Sequence, residues 1–318
     1  MALKNYKPLS AFLLILFAGL FVSTASRPSG PKNKVELGKL LFEEKMLSLD
    51  SSISCASCHQ PEFAFADTSV LSPGVGGKLG NRNTPSAMNM LSRPYFFYDG
   101  RAATLAEQAL APIANPVEMN LPVDQALARL NSHPVYKGYF KKIYKSEATS
   151  ANLGDALQAF QETLESGSTP FDRWMKGDST ALSPDAVAGR QVFMNKGKCF
   201  DCHFGPDFTG DEFRNIGLYN GKEWNDTGRF AITKDSSDLG KFKTPGLRNV
   251  AVTGPYMHNG SFKTLKEVID FYDQPDAFVP DALQIDSLMK EPLVLSSIEK
   301  RQILAFLEAL TEDRYAKK

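Results

Sequence analysis

Two short cysteine motifs constrain this chain of 318 residues more than any other feature. The first is Cys55-Ala56-Ser57-Cys58-His59 and the second is Cys199-Phe200-Asp201-Cys202-His203, and together they contain all four cysteines. Cys-x-x-Cys-His is the attachment signature of a c-type haem, with the adjacent histidine as an axial ligand of the iron. The sequence therefore predicts two covalently bound haems, one held by Cys55, Cys58 and His59 and the other by Cys199, Cys202 and His203.

Two other uses of paired cysteines fit the sequence less well. Zinc sites usually pair their Cys-x-x-Cys knuckles about 15–20 residues apart, whereas His59 and His203 are separated by 144 positions. A thioredoxin-type motif needs a βαβ setting, and strand signals are weak throughout this chain.

A second pattern repeats in the two halves of the chain. The first half contains Thr84-Pro85, Tyr98-Asp99-Gly100 and Thr104-Leu105-x-Glu107, and the second contains Thr244-Pro245, His258-Asn259-Gly260 and Thr264-Leu265-x-Glu267. Each half also begins with a helical stretch ahead of its cysteine motif and ends with an amphipathic helix. The order of helix, haem motif, loops and closing helix is that of a small cytochrome c domain.

The repeat predicts the fold class and the domain boundaries. We expect a mainly α fold with two tandem cytochrome c-like domains, over residues 33–166 and 183–314, each with one covalently attached haem. The Gly-, Ser- and Pro-rich stretch 167–182 is predicted as a linker. Ser183-Pro184 is a helix-start signal for the second domain, and Ser296-x-x-Glu299 is a capping box for its last helix.

The N-terminus predicts an exported, periplasmic protein. Lys4 and Lys7 precede an apolar run at 11–22, which the small residues at 23–25 follow. This arrangement is typical of a secretory signal peptide, here 1–25, and an uncleaved N-terminal anchor is the alternative.

Charge and composition exclude some classes of protein. The chain has 36 Lys and Arg and 36 Asp and Glu, so its formal net charge is zero. Nucleic-acid-binding domains usually carry a basic excess, and we therefore expect no nucleic-acid partner. The hydrophobic share of 42% is ordinary for a globular protein, and the length suggests roughly two domains.

The segment Gly74-Val75-Gly76-Gly77-Lys78-Leu79-Gly80 has the glycine content of a phosphate-binding loop. It does not match the pattern GxxxxGK[ST], and no predicted strand precedes it. We interpret it as a mobile loop near the first haem.

Four further segments carry a resemblance to a known family. They are FYDGRAATL at 97–105, NPVEM at 115–119, KTPGLRNV at 243–250 and PYMHNG at 255–260. In these motifs, their order and their intervals, the chain from about Leu37 to Leu310 resembles the bacterial di-haem cytochrome c peroxidases, and most closely their MauG-type branch.

The resemblance implies a peroxidase that reduces hydrogen peroxide to water with electrons from a small cytochrome c or cupredoxin. One alternative is a MauG-like enzyme that uses peroxide to oxidise residues of a partner protein. Another is a di-haem electron carrier, for which only Met88, Met90 and Met119 offer a sixth ligand in the first half. Members of the family are often dimeric, so a homodimer is also an expectation of the resemblance.

The resemblance further implies that the two irons differ. Conventional peroxidases of the family have a distal histidine after the first haem motif, but residues 60–132 contain none, so the first iron should be open. The sixth ligand of the second iron is expected 14 residues beyond His258, at Tyr272, with Met257 or Met289 as the alternative. The repeat puts Pro112 at the equivalent position in the first half, and proline cannot ligate.

Other residues match functional positions of the family. Glu118 matches a distal carboxylate and Gln108 a distal amide, which suits O–O cleavage because the leaving oxygen must be protonated. A helix cap at Glu118 and an ordinary helix position at Gln108 are the alternatives. Tyr98 replaces a tryptophan between the haems, where it relays an electron only if its proton has an acceptor.

The resemblance also implies one calcium ion between the haems. Asn83, Thr253 and Pro255 match that site and offer an amide oxygen and carbonyl oxygens, which suit a hard cation that keeps several waters. Ordinary turn residues are the alternative interpretation.

Overall fold

A computed structural model of the chain describes Met1 and residues 30–315. Apart from Met1, the predicted signal peptide at 1–25 lies outside these residues. From Pro31 onward the described residues belong to one compact unit. None of the described helices is long and apolar enough to cross a membrane.

The described residues confirm the prediction of a mainly helical fold. The only paired strands among them are β1 (Phe213–Arg214) and β2 (Phe242–Lys243), which are antiparallel. The α-helices are α1 (Lys34–Phe42), α2 (Cys55–Cys58), α3 (Leu105–Ala114), α4 (Val123–Ser132), α5 (Pro134–Tyr144), α6 (Ser150–Gln161), α7 (Pro170–Met175), α8 (Pro184–Met194), α9 (Phe230–Thr233), α10 (Leu265–Asp273) and α11 (Ser297–Glu308).

The helices α8 and α11 begin at the residues that the capping signals of the sequence predict. The hydroxyl of Ser183 accepts a hydrogen bond from a backbone N–H of the first turn of α8, and Ser296 and Glu299 form the predicted capping box of α11. The stretch 167–182, predicted as a linker, contains the helix α7. Its start, Thr169-Pro170-Phe171-Asp172, is also a capping box with proline at the first position, and the turn-rich composition around it obscured this signal.

The first and last helices of each half pack closely together. α1 lies against α6 in the first half, and α8 lies against α11 in the second. A Cβ atom on Gly38 would lie 1.8 Å from the carbonyl oxygen of Ala156, and one on Gly189 would lie 1.8 Å from that of Gln302. Glycine at both positions therefore allows the paired helix backbones to approach each other this closely.

The repeated segments have the same backbone conformation in both halves. Asn89 and Asn249 are left-handed, with φ of 60° and 61°. The side chains of Thr104 and Thr264 accept hydrogen bonds from backbone N–H groups of the first turns of α3 and α10, so both helices begin at equivalent places. The internal sequence repeat is thus a structural repeat.

Each half has its own hydrophobic cluster. Phe140 and Leu157 are among the fully buried side chains of the first cluster, and Phe193 and Phe306 are buried in the second. The edge-to-face packing of Phe193 on Phe306, with ring centroids 5.1 Å apart, is typical of aromatic pairs.

Polar contacts join the two halves. The buried guanidinium of Arg93 pairs with Asp207 at 2.7 Å and with Asp211 at 2.9 Å. The side-chain amide of Asn249 donates a hydrogen bond of 2.8 Å to the hydroxyl of Ser166. These contacts hold together the walls of the cavity described next.

Candidate active site

A cavity of about 440 Å³ is lined by residues of both halves. His59 of the first cysteine motif lies on its wall, as do Cys199, Cys202 and His203 of the second. The structure therefore brings both motifs, which are far apart in the sequence, to one shared space.

The two motif histidines are held in the same way. Nδ1 of His59 lies 3.0 Å from the carbonyl oxygen of Phe65, and Nδ1 of His203 lies 2.9 Å from that of Phe208. Because a carbonyl oxygen only accepts, Nδ1 carries the proton and Nε2 keeps its lone pair for a metal. Burial lowers the pKa of both imidazoles, which favours their neutral, ligating form.

The cysteines of each motif are unpaired thiols. Burial raises the pKa of Cys55 to about 12, that of Cys58 to about 11 and that of Cys199 to about 12. Each motif thus presents two protonated thiols, which attach a c-type haem, and one neutral imidazole, which can bind its iron. Within the described residues, no group of three or more His, Cys, Asp or Glu side chains is arranged to hold a metal ion.

Glu118 lies in the turn after α3, and its side chain lines the cavity. Its Oε1 accepts a hydrogen bond of 2.6 Å from the side-chain amide of Asn115. Burial raises the pKa of Glu118, and the Asn115 hydrogen bond and the charge of Arg101 partly oppose this. Glu118 adds to the raised pKa of Cys55 and of Cys58, so its carboxyl group lies near the first motif. No helix begins at Glu118, and helix capping does not account for it.

Helix α3 supplies two more residues of the cavity wall. Gln108 and Pro112, one turn apart, both line the cavity. The side chain of Gln108 makes no hydrogen bond to another described residue, so its amide is available to a molecule in the cavity. Pro112 offers no donor atom at the repeat position that Tyr272 occupies in the second half.

Tyr272 lines the same cavity from α10. Burial raises its pKa, and the nearby thiols of Cys202 and Cys199 add to the effect, so its phenol lies beside the second motif. Met257 and Met289 also lie on the cavity wall, and the alternative ligands therefore remain open.

Tyr98 lies where the two halves meet. Its carbonyl oxygen accepts a hydrogen bond of 2.7 Å from the backbone of Lys243, and its side chain lines the cavity. Burial raises the pKa of Tyr98, while the nearby Arg82 cation opposes the shift. Arg82 cannot accept a proton, and the Tyr98 hydroxyl makes no hydrogen bond to any other described residue.

A charged cluster beside Tyr98 was not anticipated from the sequence. Arg82 pairs with Asp99 at 2.6 Å and with Asp226 at 2.7 Å, and Arg101 pairs with Asp99 at 2.9 Å. Burial lowers the pKa of the neighbouring His258 to about 4, so its imidazole is neutral at pH 7. The motif around Asp99 and Arg101 signalled part of this cluster, but nothing local linked Arg82 to the distant Asp226.

The three predicted calcium ligands also lie on the cavity wall. The side-chain nitrogen of buried Asn83 donates hydrogen bonds of 3.1 Å to the carbonyl oxygens of Ser69 and Val70, which leaves the amide oxygen as a ligand atom. Thr253 and Pro255 line the cavity from the second half. Such a set, without a carboxylate, suits a cation that keeps several waters.

Comparison with known proteins agrees with this geometry. The family model for di-haem cytochrome c peroxidase matches residues 32–180. The methylamine utilization protein MauG of Methylorubrum extorquens is 39% identical over 281 residues, which cover 87% of this chain and 78% of that protein. The cytochrome c551 peroxidase of Nitrosomonas europaea is 34% identical over 317 residues, which cover 96% and 90%.

A solved structure is also similar over nearly the whole chain. The crystal structure of a MauG-like protein associated with microbial copper homeostasis has a TM-score of 0.81 and 30% identity, covering 91% of this chain and 93% of that one. With cysteine motifs, cavity and relatives in agreement, the chain belongs to the di-haem cytochrome c peroxidase family of oxidoreductases.

Proposed function

We propose that the chain is a periplasmic di-haem peroxidase that reduces hydrogen peroxide to two waters with two electrons from a small cytochrome c or cupredoxin. The asymmetry of the shared cavity carries this proposal: Glu118 lies near the cysteines of the first motif and Tyr272 beside those of the second. When the haems are bound, one in each of the proposed tandem domains 33–166 and 183–314, the haem of the first domain would supply the iron for O–O cleavage and that of the second would pass electrons to it.

Glu118 transfers a proton between the two oxygens of the peroxide. Its carboxylate accepts a proton from one peroxide oxygen and returns it to the other, which departs as the first water with both hydrogens of the peroxide. The oxygen that remains needs two electrons from the donor protein and two protons from solvent to become the second water. Burial raises the pKa of the Glu118 carboxyl group, and this suits the exchange because a weaker acid is a better acceptor for the peroxide proton. The Gln108 amide orients the peroxide by donating a hydrogen bond.

Tyr272 would hold the second iron through its phenol oxygen. Its position beside Cys199 and Cys202 supports this role. A phenolate oxygen is a hard anionic donor that favours the ferric state and lowers the reduction potential. Tyr98 lines the cavity that the two motifs share, but the lack of a proton acceptor for its hydroxyl among the described residues makes it a slow electron relay.

Oxidation of side chains in a partner protein is the second candidate function. The tyrosine at position 272 and the absence of histidine from 60–132 favour it, as does the 39% identity to a methylamine utilization protein. The carrier alternative is weaker. The Met88 sulfur accepts contacts of 3.7 Å from Asn249 and Tyr315, and Met119 is buried in the first cluster. Met88 and Met90 both line the cavity, and of these two only the Met90 sulfur makes no such contact with a described residue.

A calcium ion held by Asn83, Thr253 and Pro255 would join the two halves through oxygen ligands. We expect a chelator to change the haem spectrum of the holoenzyme and added Ca²⁺ to restore it. No spectral change after complete removal of calcium would show that these are ordinary turn residues.

We also expect the protein to form a homodimer, and light scattering, which measures the mass of the protein in solution, tests this.

The main test uses the diferric holoenzyme with one equivalent of hydrogen peroxide. Rapid loss of the ferric haem bands, and their return when a reduced small cytochrome c is added, is the expected result. A protein that responds only after one electron is added has a sixth ligand on the first iron. A protein that never responds is a carrier, which would overturn the proposal.

A further inference from the structure

Asn115 forms a turn that ends at the carboxyl group of Glu118. It caps the C-terminus of α3, and its Oδ1 accepts a hydrogen bond of 3.2 Å from the backbone N–H of Val117. Its Nδ2 donates the hydrogen bond of 2.6 Å to Glu118 Oε1. One side-chain amide therefore shapes the backbone before Glu118 and also holds the carboxylate itself.

The glycine-rich loop packs against the same turn from the other side. The backbone N–H of Val75 donates a hydrogen bond of 2.8 Å to the carbonyl oxygen of Glu118. A Cβ atom on Gly74 would lie 2.2 Å from the carbonyl oxygen of Val117 and 2.8 Å from Cα of Glu118. Lys78 donates a hydrogen bond of 3.3 Å to the carbonyl oxygen of Pro116. A side chain at position 74 would therefore push the Glu118 backbone.

We propose that Asn115 and Gly74 are positioning residues that hold the carboxyl group of Glu118 at the cavity. Asn115 acts through its hydrogen bond, and Gly74 allows the loop to support the backbone of the turn. This inference rests on the proposed role of Glu118 in proton transfer. Proton transfer depends on donor–acceptor distances within hydrogen-bond reach, so a small displacement of the carboxyl group slows the reaction.

The variant Asn115→Asp separates the two contacts of Asn115. Aspartate keeps an oxygen for the Val117 N–H but has no N–H to donate to Glu118. We expect the rate of the peroxide reaction to fall roughly 10- to 100-fold, with unchanged haem content. Asn115→Ala, which loses both contacts, should be at least as slow. An Asn115→Asp variant with the wild-type rate would overturn the role of Asn115.

The pH dependence of Glu118 gives a readout that a general structural role would not move. The Asn115 hydrogen bond stabilises the carboxylate, so its loss in Asn115→Ala, which adds no charge, should move the titration of Glu118 to higher pH. Difference infrared spectroscopy of the holoenzyme measures this from the C=O stretch that disappears in Glu118→Gln. The other charged or titratable groups around the turn, which both proteins share, are Arg101, Lys78, Cys55 and Cys58, and the cysteines do not titrate as haem thioethers.

Gly74→Ala tests the loop, with Gly80→Ala as the matched control. A Cβ atom on Gly80 would meet only a Val117 methyl group at 3.9 Å, an ordinary contact. Gly74→Ala should slow the peroxide reaction roughly 10-fold or more, whereas Gly80→Ala should not. Equal rates for the two variants, at equal haem content and thermal stability, would overturn the role of Gly74.

The same measurements distinguish failure of this inference from failure of the proposed function. If Glu118→Gln keeps the wild-type rate while Asn115→Ala still shifts the infrared titration, the contact is confirmed and the proton-transfer role of Glu118 is wrong. If Glu118→Gln is slow while Asn115→Ala changes neither rate nor titration, the positioning inference is wrong and the proposed function stands.

Discussion

Pro112 and Tyr272 occupy equivalent positions of the repeat, on α3 and α10, and both side chains reach the cavity. One offers no ligand atom and the other offers a phenol oxygen, which is the first difference between the two candidate iron sites. Glu118 adds the second difference, a buried carboxyl group near the first motif. The repeated segments of the two halves share a backbone conformation, and the difference between their candidate iron sites comes from these individual side chains.

Glu118→Gln should slow the peroxide reaction by roughly 10²- to 10⁴-fold because the amide cannot exchange the required protons. Burial raises the pKa of Glu118 above the ordinary value of 4.5. Because the carboxylate is the form that accepts the proton, the wild-type rate should fall as the pH falls through this raised pKa. Stopped-flow measurements across the acidic range test both points. An unchanged rate in Glu118→Gln would exclude the proton-transfer role.

Tyr272→Phe should convert the second haem to a high-spin form, because phenylalanine removes the ligand oxygen. Electron paramagnetic resonance of the diferric protein measures the change. Tyr256→Phe is the matched control, since Tyr256 also lines the cavity but its hydroxyl donates a hydrogen bond of 2.9 Å to the Val250 carbonyl. If only Met257→Leu or Met289→Leu alters the spectrum, the ligand is a methionine.

At the scale of elements, each half depends on one close helix crossing. α1 against α6 and α8 against α11 bring backbone to backbone at Gly38 and Gly189. The two crossings are equivalent, although the sequences of the helices differ. This packing fixes the ends of each half and so the positions of the loops that carry the cavity residues.

Alanine at Gly38 or Gly189 should lower the free energy of unfolding by about 1–3 kcal/mol, because its Cβ would overlap a backbone carbonyl group. Gly138→Ala is the control: it lies in α5, and its Cβ would meet nothing within 4 Å. That variant should gain up to about 1 kcal/mol from helix propensity. Urea unfolding of the holoenzyme provides the measurement, and equal stability of all three variants would contradict the packing argument.

The whole molecule brings two haem motifs to one cavity through contacts between the halves. Arg93 pairs with Asp207 and Asp211, while Lys243 and Arg248 pair with the same two carboxylates. The side chains of these five residues are mostly buried. Removing one partner would leave a buried charge unpaired, which costs more stability than the loss of a pair at an exposed surface. Because residues of both halves line the cavity, it keeps its shape only while these contacts hold the halves together.

Arg93→Met should lower the free energy of unfolding by up to about 3 kcal/mol, because it removes one partner of a buried ionic cluster. Lys243 and Arg248 still pair with the two carboxylates and limit the loss. We also expect the single unfolding transition to broaden as the halves become less coupled. Lys137→Ala, which removes the exposed Lys137–Glu147 pair, is the control and should change little. Indistinguishable unfolding curves for the two variants would contradict the role of Arg93.

The sequence alone determined the features that depend on covalent chemistry and on local hydrogen bonds. The haem motifs, the repeat and the capping boxes at Ser296 and Thr264 are of this kind, because an N-cap is decided by residues three positions apart. Resemblance to a family added the expected roles of Glu118, Gln108 and Tyr272, which remain to be tested in this chain.

Only the tertiary structure decided which distant residues meet. The pairing of Arg82 with Asp226, the crossing of Gly38 over Ala156 and the contact of Gly74 with the turn at Glu118 join segments that no local pattern connects. Their physical cause is close packing, in which the room for a Cβ atom or the partner of a charge is set by backbone from elsewhere in the chain. The positioning of the candidate catalytic carboxyl group therefore follows from the folded chain.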